Sequence, residues 1–144
     1  MPLCNERNHI GMATEIERVA AKARLEKDLC FTSLTHHLTQ DAIWKGLCTI
    51  PSNTGVGVDG SDVEQAKRNF QQWIKPTIQS IHNRGYKAPP VRRVYIPKPG
   101  KTAMRPIGVH TVHDRSLQVA TSKVLSAIYE QDFKECSYGF RPGR

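Results

Sequence analysis

The chain has 144 residues, 38% of them hydrophobic and 24% charged, with a net charge of +8 at pH 7. That length suits one ordinary domain with a modest core; no apolar run is long enough to span a bilayer, and no signal-peptide pattern opens the chain. Cys4, Cys30, Cys48 and Cys136 lie far apart with no Cys-x-x-Cys pair, which argues against zinc or a disulfide framework and for ordinary thiols in a reducing compartment. The charge is unevenly placed. Residues 1–83 carry nine Lys/Arg against nine Asp/Glu, and residues 84–144 carry twelve against four. A one-sided basic field points to a polyanionic partner, nucleic acid before membrane.

In chain order, residues 1–11 show no periodicity and read as an N-terminal arm. From Met12 an amphipathic helix is predicted, with Ile16, Val19, Ala20, Ala23 and Leu25 on one side; it either packs on its own domain or faces RNA. Phe31 to Ile50 reads as a helical pair. Its adjacent His36 and His37 point in different directions and suit packing or solvent better than a metal. Pro51 to Gly60 is glycine-rich, but no Gly-Lys-Ser/Thr follows, so it is not a P-loop. Asp59 is expected to turn the chain, and Ser61 with Glu64 to form a capping box. The next helix carries Val63, Ala66, Phe70, Trp73 and Ile74, with Trp73 assigned to the core rather than to base stacking. A break or kink is expected at Pro76, and a left-handed stop at Gly85.

Val91 to Ile96 is strand-like and closed by Pro97. Lys98-Pro99-Gly100-Lys101 reads as a turn, and Thr102 to Val109 leads back. The result is a hairpin with Lys98 and Lys101 at its tip and Arg92, Arg93 and Arg105 on its arms, either a solvated basic surface or a phosphate clamp. Thr111 and Asp114 have capping-box spacing. Val112, Leu117, Ala120, Val124, Ile128 and either Leu125 or Tyr129 form the buried stripe of a helix ending near Phe133. Arg115 in its first turn opposes the macrodipole. The closing Ser137 to Arg144 is a loop that presents Arg141 and Arg144, with Tyr138 and Phe140 expected to anchor it. The predicted fold is α+β, mostly helical, packed on a small antiparallel sheet centred on the hairpin.

Four words occur in order: VRRVYIPKPG, RPIG, HDRSLQ and SYGFRPGR. They resemble the fingers region of group II intron reverse transcriptases, the intron-encoded maturases, over about Phe31 to Arg144. The resemblance implies a helical N-terminal extension over 1–30 and a fingers subdomain of a right-hand polymerase over 31–144, ending before the palm. It implies that Lys98 and Arg105 grip the phosphates of an incoming nucleotide, where Lys is a point charge and Arg a planar fork of donors. Arg92, Arg93 and Arg115 fall near the template backbone or nucleotide, Val109 and His110 near the templating base, and Lys101, Arg141 and Arg144 join the nucleic-acid-binding set.

Two departures from the family pattern stand out. The interval from Lys98 to Arg105 is about one residue longer, and His110 stands where proline is common. No Tyr-x-Asp-Asp occurs, and Asp114 and Asp132 lie in the wrong motifs for catalysis. No cofactor is expected in this stretch; Mg2+ is expected for the full-length parent, whose palm aspartates would hold two divalent ions. This chain is expected to extend no primer alone. The partners implied are intron or template RNA, and, in the parent, template–primer duplex and deoxynucleoside triphosphate. Two other readings are an RNA-binding splicing module and an inactive truncation that dimerises with itself. A bacterial cytoplasm is the expected compartment, an organelle the alternative.

Overall fold

The computed structural model describes residues 9–100, 102–139, 141 and 143. In order these form α1 (His9–Leu25), a 3₁₀ turn (Thr35–His37), α2 (Gln40–Cys48), α3 (Val63–Arg68), α4 (Phe70–His82), β1 (Arg92–Pro97), β2 (Met104–Val109) and α5 (Val112–Tyr129). Two compact units divide the chain. Residues 35–121 form the larger one; residues up to 34 and from 122 onward form the smaller.

The larger unit is built on helices. Ile43 and Leu47 of α2, Val63 of α3, Ile74 of α4 and Val112 of α5 are sealed from solvent, each worth roughly 1.5–3 kcal/mol when fully buried. A Cβ at Gly46 would sit 2.6 Å from the Ser116 carbonyl oxygen, so α2 and α5 cross where only glycine fits. Trp44, Phe70 and Trp73 meet edge-on, with centroids 4.8 and 5.1 Å apart.

Local chemistry sets the helix ends. Thr39 Oγ1 accepts from the Ala42 amide at the start of α2. The capping box of α3 lies one residue beyond the predicted one: Asp62 accepts from the Gln65 amide at 2.7 Å, and Gln65 Oε1 accepts from the Asp62 amide at 3.2 Å. Asp59 turns the chain before it, accepting from the Ser61 amide. The predicted break at Pro76 is absent. Pro76 lies inside α4, and the interruption falls at Asn69, between α3 and α4. The carbonyl that Pro76 cannot serve belongs to exposed Gln72, where water can satisfy it. The left-handed stop is Arg84, with φ 55°, and not Gly85. The amides of Arg84 and Gly85 reach back to the carbonyls of Ile81 and Ser80 at 3.0 and 2.9 Å, a Schellman arrangement with arginine at the usual glycine position. The predicted helical pair over Phe31–Ile50 reduces to the 3₁₀ turn and α2. His36 and His37 stack in that turn, with centroids 3.9 Å apart.

The hairpin is antiparallel, pairing Arg92 with Val109 and Pro97 with Met104. The Lys98 amide bonds the Ala103 carbonyl at 3.0 Å, and Gly100 supplies a φ of 68° in the turn. Most residues of both strands are exposed. The expected packing of helices onto this sheet is therefore not the organising contact. Two strands bury little surface, and the core forms among the helices instead.

In the smaller unit, Ala23 and Val124 are buried, and Lys27 bonds Asp132 and the Gln131 carbonyl at 2.9 and 2.8 Å. Tyr138 is 64% exposed and does not anchor the closing loop; Phe140 lies outside the described residues. Arg141 does that work. Its guanidinium bonds both Glu130 oxygens and the carbonyls of Lys134 and Ser137 and lies over the Phe133 ring.

Candidate nucleic-acid interface

Strand alternation sorts the hairpin cations into two sets. Directly paired residues share a face, so Arg92, Val94, Ile96, Arg105, Ile107 and Val109 lie on one side. Arg93, Tyr95, Met104 and Pro106 lie on the other. Lys98, one step past the strand, keeps the parity of Ile96, the partner of Arg105. Lys98, Arg105 and Arg92 thus follow one face from tip to base. Arg93, which the sequence groups with Arg92, is on the opposite side. Lys98, Arg93 and Arg105 make no ion pair among the described residues. Lys101 and Arg144 lie outside the described residues.

At the base of the hairpin two arginines hold the glycine-rich loop. Arg92 Nε donates to the Val56 carbonyl at 2.9 Å, and Arg115 Nη2 donates to the Gly55 carbonyl at 2.8 Å. Gly57 then passes so close to α5 that a Cβ there would lie 2.5 Å from Thr111 Cα. The early cation in α5 that opposes the helix dipole therefore has a structural partner. Arg92 keeps its Nη groups without a hydrogen-bond partner among the described residues and remains able to meet a phosphate.

Behind Val109 lies a buried polar centre. Asp114 is 4% exposed and accepts from Tyr86 Oη at 2.9 Å and Gln118 Nε2 at 2.6 Å, with His110 Nδ1 at 3.1 Å. Its amide bonds Thr111 Oγ1 at 3.3 Å, so the predicted cap is half formed: the aspartate side chain turns to these partners instead. Burial, and then Asp114, push the Tyr86 phenol far above its ordinary range. His110 presents its outer ring edge to solvent, its other edge held by the carboxylate. Sequence reasoning missed Tyr86 and Gln118; a buried aspartate in need of donors was the available signal. Both Asp114 oxygens are engaged, and Asp132 is paired with Lys27.

Arg141, predicted to present charge to nucleic acid, is engaged inside its loop by Glu130 and two carbonyls. No helix among the described residues is long and apolar enough to cross a membrane.

These features define an α+β chain in which the larger, mainly helical unit carries an exposed basic hairpin. No family model matches the chain. Over 130 residues it is 35% identical to the group II intron-encoded protein LtrA of Lactococcus lactis subsp. cremoris, a match covering 90% of this chain and 22% of that protein. It is 37% identical over 88 residues to protein YkfC of Escherichia coli, covering 61% of this chain and 23% of YkfC. A 91 kDa protein in the cob intron of Schizosaccharomyces pombe is 33% identical over 95 residues, covering 66% of this chain and 12% of that protein. The chain is thus related to group II intron-encoded proteins, and it spans about a fifth of the length of the Lactococcus relative.

Proposed function

We propose that this chain is the fingers region of an RNA-directed DNA polymerase encoded by a group II intron, gripping template RNA and the triphosphate of an incoming nucleotide. One observation carries the reading: Lys98, Arg105 and Arg92 share a face of the hairpin, exposed and without ion-pair partners among the described residues. Unpaired cations on an exposed strand gain nothing from burial; opposite a polyanion they gain charge-assisted bonds. Arg92 and Arg115 fix the loop at Gly55–Val56 beside that face, and Asp114 orients His110 at its inner end. The metal ions of nucleotidyl transfer belong to other residues of the whole protein. A bacterial cytoplasm is the compartment of this reading.

The test is RNA affinity measured as salt is raised. The expected result is a logarithmic decline whose slope counts the phosphates met, about 0.7 per contact for a single strand. Affinity indifferent to salt overturns the reading and leaves a solvated hairpin.

A further inference from the structure

Apart from the hairpin, the larger unit carries an open cleft of about 500 Å³, lined by Asp59, Gln65, Asn69, Gln72, Trp73 and His113 among others. Its chemistry differs from that of the hairpin, for no Lys or Arg lines it. Two rings form one wall: the Trp73 and His113 centroids are 4.5 Å apart. The Trp73 indole is held in place by its N–H, which donates to the Ala66 carbonyl at 3.0 Å. His113 is half-buried beside Asp59, its Nδ1 3.5 Å from the carboxylate, and burial lowers its pKa against the opposing pull of Asp59.

The other wall is amide. Gln65 uses its carbonyl oxygen in the capping box, with no partner for its Nε2 among the described residues. Asn69 stands at the N-cap of α4 yet makes no side-chain capping bond, although asparagine is among the best residues for that task. Gln72, a turn further on, is also exposed on this side. A ring-walled cleft with spare amide donors and acceptors, a carboxylate at Asp59 and no cation does not suit a phosphate. It suits a planar heterocycle with a hydrogen-bonding edge. Aromatic rings take unpaired bases by stacking, and Asn and Gln amides match the paired donor and acceptor of adenine. The volume lies within the range of small-ligand sites.

We propose that this cleft receives one unpaired base of the bound RNA, with adenine favoured, while the hairpin holds the backbone. The inference rests on the RNA-binding reading above and adds to it a site of base recognition, since phosphate contacts position a nucleic acid and base contacts specify it.

The experiment compares short single-stranded RNA probes of oligoadenylate, oligouridylate and an abasic backbone, followed by binding and by tryptophan fluorescence. The variant is Asn69→Ala with Gln72→Ala, two exposed side chains without a hydrogen-bond partner among the described residues, so the fold should be unaffected. Expected are quenching of tryptophan by oligoadenylate but not by the abasic probe, and about tenfold weaker oligoadenylate binding in the double variant, from two lost hydrogen bonds. The salt slope should stay unchanged. Arg105→Ala should do the reverse, lowering the slope and sparing the quenching. Normal salt-dependent binding with equal affinity for all three probes, or a double variant that binds oligoadenylate like the parent, overturns the cleft alone. A chain that binds no RNA overturns both readings.

Discussion

Arg105→Ala and Arg93→Ala remove the same charge from the same hairpin, yet the strand register predicts different outcomes. Arg105 stands opposite Ile96, four residues along β1 from Arg92 and on the same face. At about 3.4 Å per residue the two cations are roughly 14 Å apart, a span that covers about four phosphates of a helical strand. One RNA strand lying along that face can meet both, and it cannot also meet Arg93 on the reverse. Loss of one contact should lower the salt slope by about 0.7 and weaken binding at about 0.1 M salt by roughly fivefold. Arg105→Ala should show both changes, and Arg93→Ala neither. Both side chains are exposed, so stability should move by less than about 0.5 kcal/mol in either variant, which thermal melts would check. Fluorescence anisotropy of a labelled RNA across a salt series provides the slopes. Equal slopes for the two variants would refute the one-face arrangement, and a larger effect from Arg93→Ala would place the RNA on the other side.

Other expectations follow from the geometry. Gly57→Ala places a Cβ 2.5 Å from Thr111 Cα, a backbone clash that should cost about 1–3 kcal/mol in urea unfolding; unchanged stability would show that the loop is not pinned to α5. Arg84→Gly relieves a left-handed φ of 55° and should raise stability by about 0.5 kcal/mol, the relief being partly offset by the entropy of an unfolded glycine. Because burial and Asp114 raise the Tyr86 pKa above its ordinary value of 10, the folded chain binds a proton that the unfolded chain releases. The stabilisation is complete below about pH 10 and declines as pH rises beyond it. Tyr86→Phe should therefore flatten the alkaline end of a stability–pH curve, and should also cost about 1.5–3 kcal/mol at neutral pH for the lost bond to a carboxylate.

The glycine-rich loop shows how the interface is assembled. Arg92 and Arg115, assigned from sequence to the nucleic acid, each give one donor to adjacent loop carbonyls, at sequence separations of 36 and 60 residues. A bound phosphate at Arg92 would therefore bear on the loop as well as on the strand. This double duty makes Arg92 a poor choice for measuring a single phosphate contact, and Arg105 a good one.

Local order was legible in the residues themselves. Of the expected α5 stripe Val112, Leu117, Ala120 and Val124 are buried, whereas Leu125 and Tyr129 are exposed; that stripe, the turn at Gly100 and the hairpin itself depend on neighbours within a few positions, where periodicity and turn chemistry act. Even the split of Arg92 from Arg93 is implicit in a period of two. Tertiary structure decided the rest. The stop of α4 at Arg84, the passage through Pro76 and the capping box at Asp62 turned on alternatives too close in energy for propensity to separate. The role of Arg141 depended on which acceptors the closing loop brought to it, and Glu130 with two carbonyls engaged a cation that the sequence presents as free. The cleft joins Asp59, Trp73 and His113 from three separate stretches. Their contact is set by how α3, α4 and α5 bury their apolar sides, and no spacing along the chain encodes it.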